Sequence, residues 1–132
     1  MAENKRKIYL IDDDELHLTT AELFLKNDFE IYKAKTGKEA LDYIVSNKFV
    51  PHLVLLDILM PEMDGWEVFR KMREIEAMKN VPIIFLTAVE DKQDHKKAFR
   101  IGISDVIMKP FNMTDLKSRI SEVIKKTETK RI

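Results

Sequence analysis

Residues 7–18 read KIYLIDDDELHL. Four apolar side chains, Ile8, Tyr9, Leu10 and Ile11, run without a break into four acids, Asp12, Asp13, Asp14 and Glu15. Apolar spacing resumes at Leu16. A short continuous apolar run fits a strand buried on both faces. The acids after it suit a helix start, where negative charge is favoured. A strand feeding a helix in this way is the repeating unit of a parallel α/β sheet. Neighbouring carboxylates repel, so these acids either face water or are compensated by something else.

Working outward, the same alternation continues. Apolar runs recur at 53–56 (LVLL), 82–87 (PIIFLT) and 105–108 (DVIM), with a weaker one at 30–34 (EIYKA). Each has strand length and composition, and LVLL and IIFL lack period-2 alternation. Between them, stripes at helical spacing predict helices: Leu16, Thr20, Leu23 and Phe24; Ala40, Leu41 and Ile44; Trp66, Phe69 and Met72; Leu116, Ile120, Val123 and Ile124. Local signals mark the boundaries. Thr36 and Glu39 form a capping-box pair, Asn80 and Pro82 are expected to stop the third helix, Gly102 the fourth, and Asn112 caps the fifth. The pattern predicts an α/β, doubly wound (βα)5 fold: one domain over residues 1–132, with its core at about 7–125 and short charged termini.

Bulk properties remove several classes of function. Lys plus Arg and Asp plus Glu both count 23, giving a formal net charge of zero. That argues against nucleic-acid binding, which draws on excess positive charge. There is no cysteine, hence no disulfide framework or thiolate metal site. The N-terminal MAENKRK lacks the apolar core of a signal peptide, and no run approaches membrane-spanning length. A cytoplasmic protein with no membrane contact is the expectation.

In an open parallel sheet, ligands bind beyond the carboxyl ends of the strands, where strand order reverses. The residues that follow each run therefore matter most. Strand 1 ends in Asp12 and Asp13, strand 3 in Asp57, strand 4 in Thr87 and Ala88, and strand 5 in Lys109 before Pro110. Singly, each has a plain explanation as a turn, cap or strand-end residue. Jointly, they bring three carboxylates, a hydroxyl and an ammonium to one sheet edge. Such a carboxylate cluster calls for a cation, and hard oxygen ligands suit Mg²⁺, with Mn²⁺ as a substitute. A carboxylate beside the metal can attack phosphorus as a nucleophile. Thr87 and Lys109 are placed to contact the phosphoryl oxygens, as charge neutralisation in phosphoryl transfer requires.

The strings LIDDDE, LVLLDILMPEMDG, IIFLTA and DVIMKPF, in this order, resemble the receiver domain of two-component response regulators. The resemblance implies the flavodoxin-like strand order 2-1-3-4-5. It further implies that Asp57 accepts a phosphoryl group from the phosphohistidine of a sensor histidine kinase or phosphotransfer protein. Asp12 and Asp13 would hold Mg²⁺ with Asp57 and the backbone carbonyl of Leu59. Thr87, Ala88 and Lys109 would contact the phosphoryl group, and the Lys109–Pro110 bond would be cis. Asp14 and Glu15 fall outside that set and are expected at the helix start. An unidentified output protein would read the helix 4–strand 5–helix 5 face near Phe99, Val106, Met108 and Phe111, with the core as the alternative place for Phe111.

This chain departs from the family pattern at several positions. Val106 stands where the family often has an aromatic that rotates with the Thr. His52 replaces a common Asp and is expected as an exposed strand-end residue. Leu59 and Val89, two positions after Asp57 and Thr87, are apolar and unable to orient a water, which predicts slow loss of the phosphoryl group. The competing reading is a Mg²⁺-dependent phosphatase of the haloacid dehalogenase type, in which Asp12 and Asp14 would form the D-x-D pair. A flavin-binding module is a weaker alternative, because the acidic loop after strand 1 would repel a flavin phosphate.

Overall fold

The computed structural model describes residues 4–88 and 92–130. Among them, strands and helices alternate: β1 (Arg6–Ile11), α1 (Glu15–Leu25), β2 (Phe29–Ala34), α2 (Gly37–Asn47), β3 (Leu53–Asp57), α3 (Gly65–Arg73), β4 (Ile83–Thr87), α4 (Lys92–Ile101), β5 (Asp105–Met108) and α5 (Met113–Lys130). All strand pairs are parallel, and the sheet order is β2-β1-β3-β4-β5. Strand order therefore reverses between β1 and β3, which puts the binding crevice at their carboxyl ends.

The strands read as continuous apolar runs because both faces of the sheet are covered. Tyr9, Ile11, Val54, Leu56, Ile83 and Phe85 point to one side, against Ala40 and Ile44 of α2, Val68, Phe69 and Met72 of α3, and Ala98 of α4. Their neighbours Ile8, Leu10, Leu53, Leu55, Ile84 and Leu86 point to the other, against α1 and α5. Two-sided burial makes a one-residue register slip costly only through packing shape, so the turns and caps must fix the register. They do so where the sequence predicts. Thr36 Oγ1 accepts from the Glu39 amide at 3.0 Å. Asn112 Oδ1 accepts from the Asp115 amide at 3.0 Å. Gly102, at φ +107°, closes α4 through bonds from its own amide to Phe99 and from the Ile103 amide to Ala98. His52 is exposed, as expected, and also pins the start of β3. Its Nδ1 accepts from the Lys7 amide, and its own amide donates to the Lys7 carbonyl, both at 2.8 Å.

Two expectations are corrected. The stripe Leu16, Thr20, Leu23 and Phe24 is not the core face of α1. Leu18, Ala21 and Leu25 are buried, whereas Leu16 is 71% exposed and Leu23 59%. Apolar residues lie all round this helix, so periodicity admits two faces, and docking against the sheet and α5 decides between them. Asn80 and Pro82 do not end α3 either. It stops at Arg73, and Ile75 turns extended ahead of a 3₁₀ turn at Glu76–Met78. That turn buries Met78 in the core and is held by Arg73, whose Nη1 donates to the Met78 carbonyl at 2.7 Å. No glycine or proline marks this break.

The corrected phase of α1 has a direct test. Leu18→Ala is expected to cost about 2–5 kcal/mol in chemical denaturation, and Leu16→Ala less than about 0.5 kcal/mol. Comparable losses would mean that the other face is the buried one.

Candidate phosphoacceptor site

The sheet register brings the strand ends level. Ile11 pairs with Leu56, Asp57 with Leu86 and Thr87 with Met108. The next residue on β1 is Asp12, whose amide extends the ladder to the Ala34 carbonyl at 3.1 Å. The Lys109 amide likewise donates to the Thr87 carbonyl at 2.8 Å. Backbone pairing therefore delivers the expected polar residues to one edge. Asp12, Asp57 and Thr87 are buried at 3%, 5% and 1% exposure, in a chain whose other buried side chains are apolar among the described residues. Asp13 and Ala88 lie exposed beside them.

Oxygen atoms of Asp12, Asp13 and Asp57 all lie within 4.8 Å of one another. Among the described residues, one ammonium reaches into the group. Lys109 Nζ is 2.9 Å from Asp12 Oδ2 and 3.6 Å from Asp57 Oδ1. A single positive charge does not balance three carboxylates, and the imbalance falls on Asp57. Burial first, and then the charge of Asp12, push its carboxyl up to about 6, while Lys109 pulls the other way. Three hard oxygen donors with a net negative charge fit a divalent ion such as Mg²⁺. Asp12, Asp13 and Asp57 are the side chains that would hold it.

Asp12 is fixed on all sides. Its Oδ1 accepts from the Asp14 amide at 2.9 Å, and its Oδ2 takes the Lys109 bond. Asp14 spends its own Oδ1 on the amides of Leu16 and His17, at 2.9 and 3.3 Å. It is the N-cap of α1, as expected, and this occupies the carboxylate that a dehalogenase-type phosphatase would need as acid and base.

Two residues that the sequence reading did not single out also shape the site. Gly65, the first residue of α3, donates from its amide to the Ile58 carbonyl at 2.8 Å. A Cβ there would meet the Asp57 carbonyl oxygen at 2.7 Å and Ile58 Cα at 2.8 Å. The end of the MPEMDG string is glycine because the backbone carrying Asp57 passes directly over it. The second is His17, in the first turn of α1, whose ring lies beside both Asp12 and Lys109. Its spacing after the acids was the available signal.

The expected departures are placed as follows. Val106 is buried and lines a cavity of about 110 Å³ together with Thr87, Phe85, Trp66, Ala98 and Leu59. The aromatic surface beside Thr87 comes instead from α3 and β4, where Trp66 and Phe85 meet edge to face with ring centres 5.0 Å apart. Leu59 projects outward, 59% exposed. Val89 lies outside the described residues. The Lys109–Pro110 bond is cis. Of the four residues named for an output face, only Phe99 is well exposed, at 52%. Val106 is in the core, and Phe111 packs against the α1–α5 layer.

A family model described as the response regulator receiver domain matches residues 8–121. The transcriptional regulatory protein CrdR of Helicobacter pylori is 36% identical over 117 residues, covering 88% of this chain and 54% of CrdR. The transcriptional regulatory protein SrrA of Staphylococcus aureus is 32% identical over 124 residues, covering 93% of this chain and 49% of SrrA. A solved CheY-like receiver domain protein from Methanospirillum hungatei JF-1 superimposes with a TM-score of 0.86 at 26% identity, over 96% of this chain and 99% of that one. The chain spans about half the length of the curated relatives it matches. These comparisons give the phosphatase reading no support. No helix among the described residues is long and apolar enough to cross a membrane.

Because the folded Asp57 carboxyl titrates at about 6 rather than near 3.8, the folded state holds its proton more tightly than the unfolded chain does. Its contribution to stability is full below the ordinary carboxylate range and is lost as pH rises through about 6. Metal-free Asp57→Asn should therefore melt higher than the parent at about pH 8, and this advantage should vanish at about pH 4. A variant that melts lower at the alkaline end contradicts the assignment. Gly65→Ala should lower stability by about 1–3 kcal/mol in urea unfolding, because backbone must move to admit the methyl.

Proposed function

This chain belongs to the response regulator receiver domain family of two-component systems, and on that premise we propose that Asp57 is its phosphoacceptor. The observation that supports this is the position of Lys109, whose ammonium spans Asp12 and Asp57 at 2.9 and 3.6 Å at the edge of the acid cluster. In this reading an Asp57 oxygen attacks the phosphorus of a phosphohistidine on a sensor kinase or phosphotransfer protein. The P–N bond breaks, the imidazole leaves, and an acyl phosphate forms on Asp57.

Asp12, Asp13, Asp57 and the Leu59 carbonyl hold the metal, with Mn²⁺ able to replace Mg²⁺. When bound, the ion neutralises charge on the carboxylates and phosphoryl oxygens. Lys109 meets one phosphoryl oxygen, and the Thr87 hydroxyl and the Ala88 amide donate to others. The group turns over slowly, so the domain acts as a signalling acceptor rather than as an enzyme with a diffusible substrate. Leu59 supports that reading, since an exposed leucine beside the acceptor offers no hydrogen bond to an attacking water. The phosphoryl group favours one of two pre-existing conformations through contacts made only in that state. An output partner then reads the surface of α4, β5 and α5. We take residues 1–132 as one receiver unit working in the cytoplasm.

Incubation with acetyl phosphate and Mg²⁺ should add one phosphoryl group to the intact mass. The addition should disappear in Asp57→Asn and after chelation. Leu59→Asn should shorten the lifetime of the adduct several-fold. Absence of labelling under conditions that label another receiver domain, or undiminished labelling of Asp57→Asn, would overturn the assignment.

A further inference from the structure

His17 stands at the rim of the acid cluster, outside the set of residues that the proposed chemistry uses. Its Nδ1 is 3.1 Å from Lys109 Nζ and 3.3 Å from Asp12 Oδ2. Its Nε2 is 3.5 Å from Asp14 Oδ2. An ammonium only donates. The contact with Lys109 is therefore a hydrogen bond when Nδ1 carries the lone pair and the ring proton sits on Nε2, facing Asp14. The same tautomer explains why Nδ1 and Asp12 Oδ2 lie so close: two acceptors share one donor between them. Asp14 supports the arrangement twice. Its Oδ1 caps the His17 amide while its Oδ2 faces the ring.

With two acceptors on one side, Lys109 stands closer to Asp12 than to Asp57, at 2.9 against 3.6 Å. We propose that His17 is a positioning residue that parks Lys109 on the Asp12 side, so that Lys109 must give up the His17 bond before it can serve a phosphoryl group on Asp57. The inference rests on Asp57 as phosphoacceptor for its kinetic consequence, but not for the geometry. His17 thereby sets the resting position of the Lys109 ammonium at the site. It slows entry into the phosphorylated state without touching the reacting atoms.

The test uses the full chain and has two arms. In the first, long-range ¹H–¹⁵N spectra of metal-free protein at about pH 8, above the ordinary imidazole range, report the ring tautomer and the Lys109 ammonium. The expected result is His17 with the proton on Nε2, and a Lys109 Nζ resonance that moves in His17→Ala and returns in His17→Asn. The asparagine oxygen occupies the place of Nδ1 and accepts the same bond. In the second arm, the rate of phosphorylation by acetyl phosphate should rise about fivefold in His17→Ala, the scale of one hydrogen bond's net contribution lost from the resting state. It should fall back to within about twofold of the parent in His17→Asn. A proton on Nδ1, an unmoved Lys109 resonance, an unchanged rate in His17→Ala, or an asparagine variant that behaves like alanine would each overturn the proposal. If no variant takes up phosphate, the reading of Asp57 fails, while the spectra still decide whether His17 holds Lys109.

Discussion

At the carboxyl edge of the sheet, carboxylate oxygens of Asp12, Asp13 and Asp57 lie within 4.8 Å of one another, and two of the three side chains are buried. Like charges held that closely in a partly dry environment oppose folding, and the raised Asp57 carboxyl registers the opposition directly. Much of the surrounding architecture serves to impose this placement. Level parallel strands fix the two backbones, β1 and β3, from which the acids project. Their carbonyls and amides stay paired past the formal strand ends, at Asp12, Ile58 and Lys109. The sheet is buried on both faces by two apolar layers, and that burial supplies the free energy against which the repulsion is maintained.

Compensation comes in two grades. Among the described residues one ammonium, that of Lys109, enters the cluster, and it sits asymmetrically, nearer Asp12 than Asp57. The remaining charge is of the kind a divalent ion would neutralise. This division suits a switch. A site fully neutralised by its own side chains would have nothing to gain from a metal and a phosphoryl group, whereas one left negative responds strongly to both. The tight seat of Gly65 beneath Asp57 and the double use of Asp14 as cap and neighbour of His17 keep the acids from relaxing apart.

The sequence made the sheet, its helices and the polar residues at the strand ends legible, because each rests on a local signal. Continuous apolar runs mark doubly covered strands, and an acid, hydroxyl or ammonium at the end of a run marks the ligand edge. Thr36, Gly102 and Asn112 act where their chemistry predicts. What was missed depends on the third dimension. The buried face of α1 was misassigned because leucines and a phenylalanine lie on both sides of it, and only docking against β1, β3 and α5 selects Leu18 over Leu16. The early end of α3 has no breaker residue to announce it, since burial of Met78 drives the 3₁₀ turn. Val106 looks like a surface candidate in the linear string but is buried in the core, while Phe111 packs, half-buried, against the opposite layer. His17 gains its place at the site only through contacts such as that with Lys109, ninety-two positions away.

Metal binding by the acid cluster can be measured directly. Calorimetric titration of the chain with Mg²⁺ at about pH 6, in two buffers of different ionisation enthalpy, measures the stoichiometry and the protons released together. One ion per chain, with release of a fraction of a proton from Asp57 and loss of binding in Asp13→Asn, is the predicted result. Absence of binding, or an affinity and proton count unchanged by Asp13→Asn and Asp57→Asn, would contradict it.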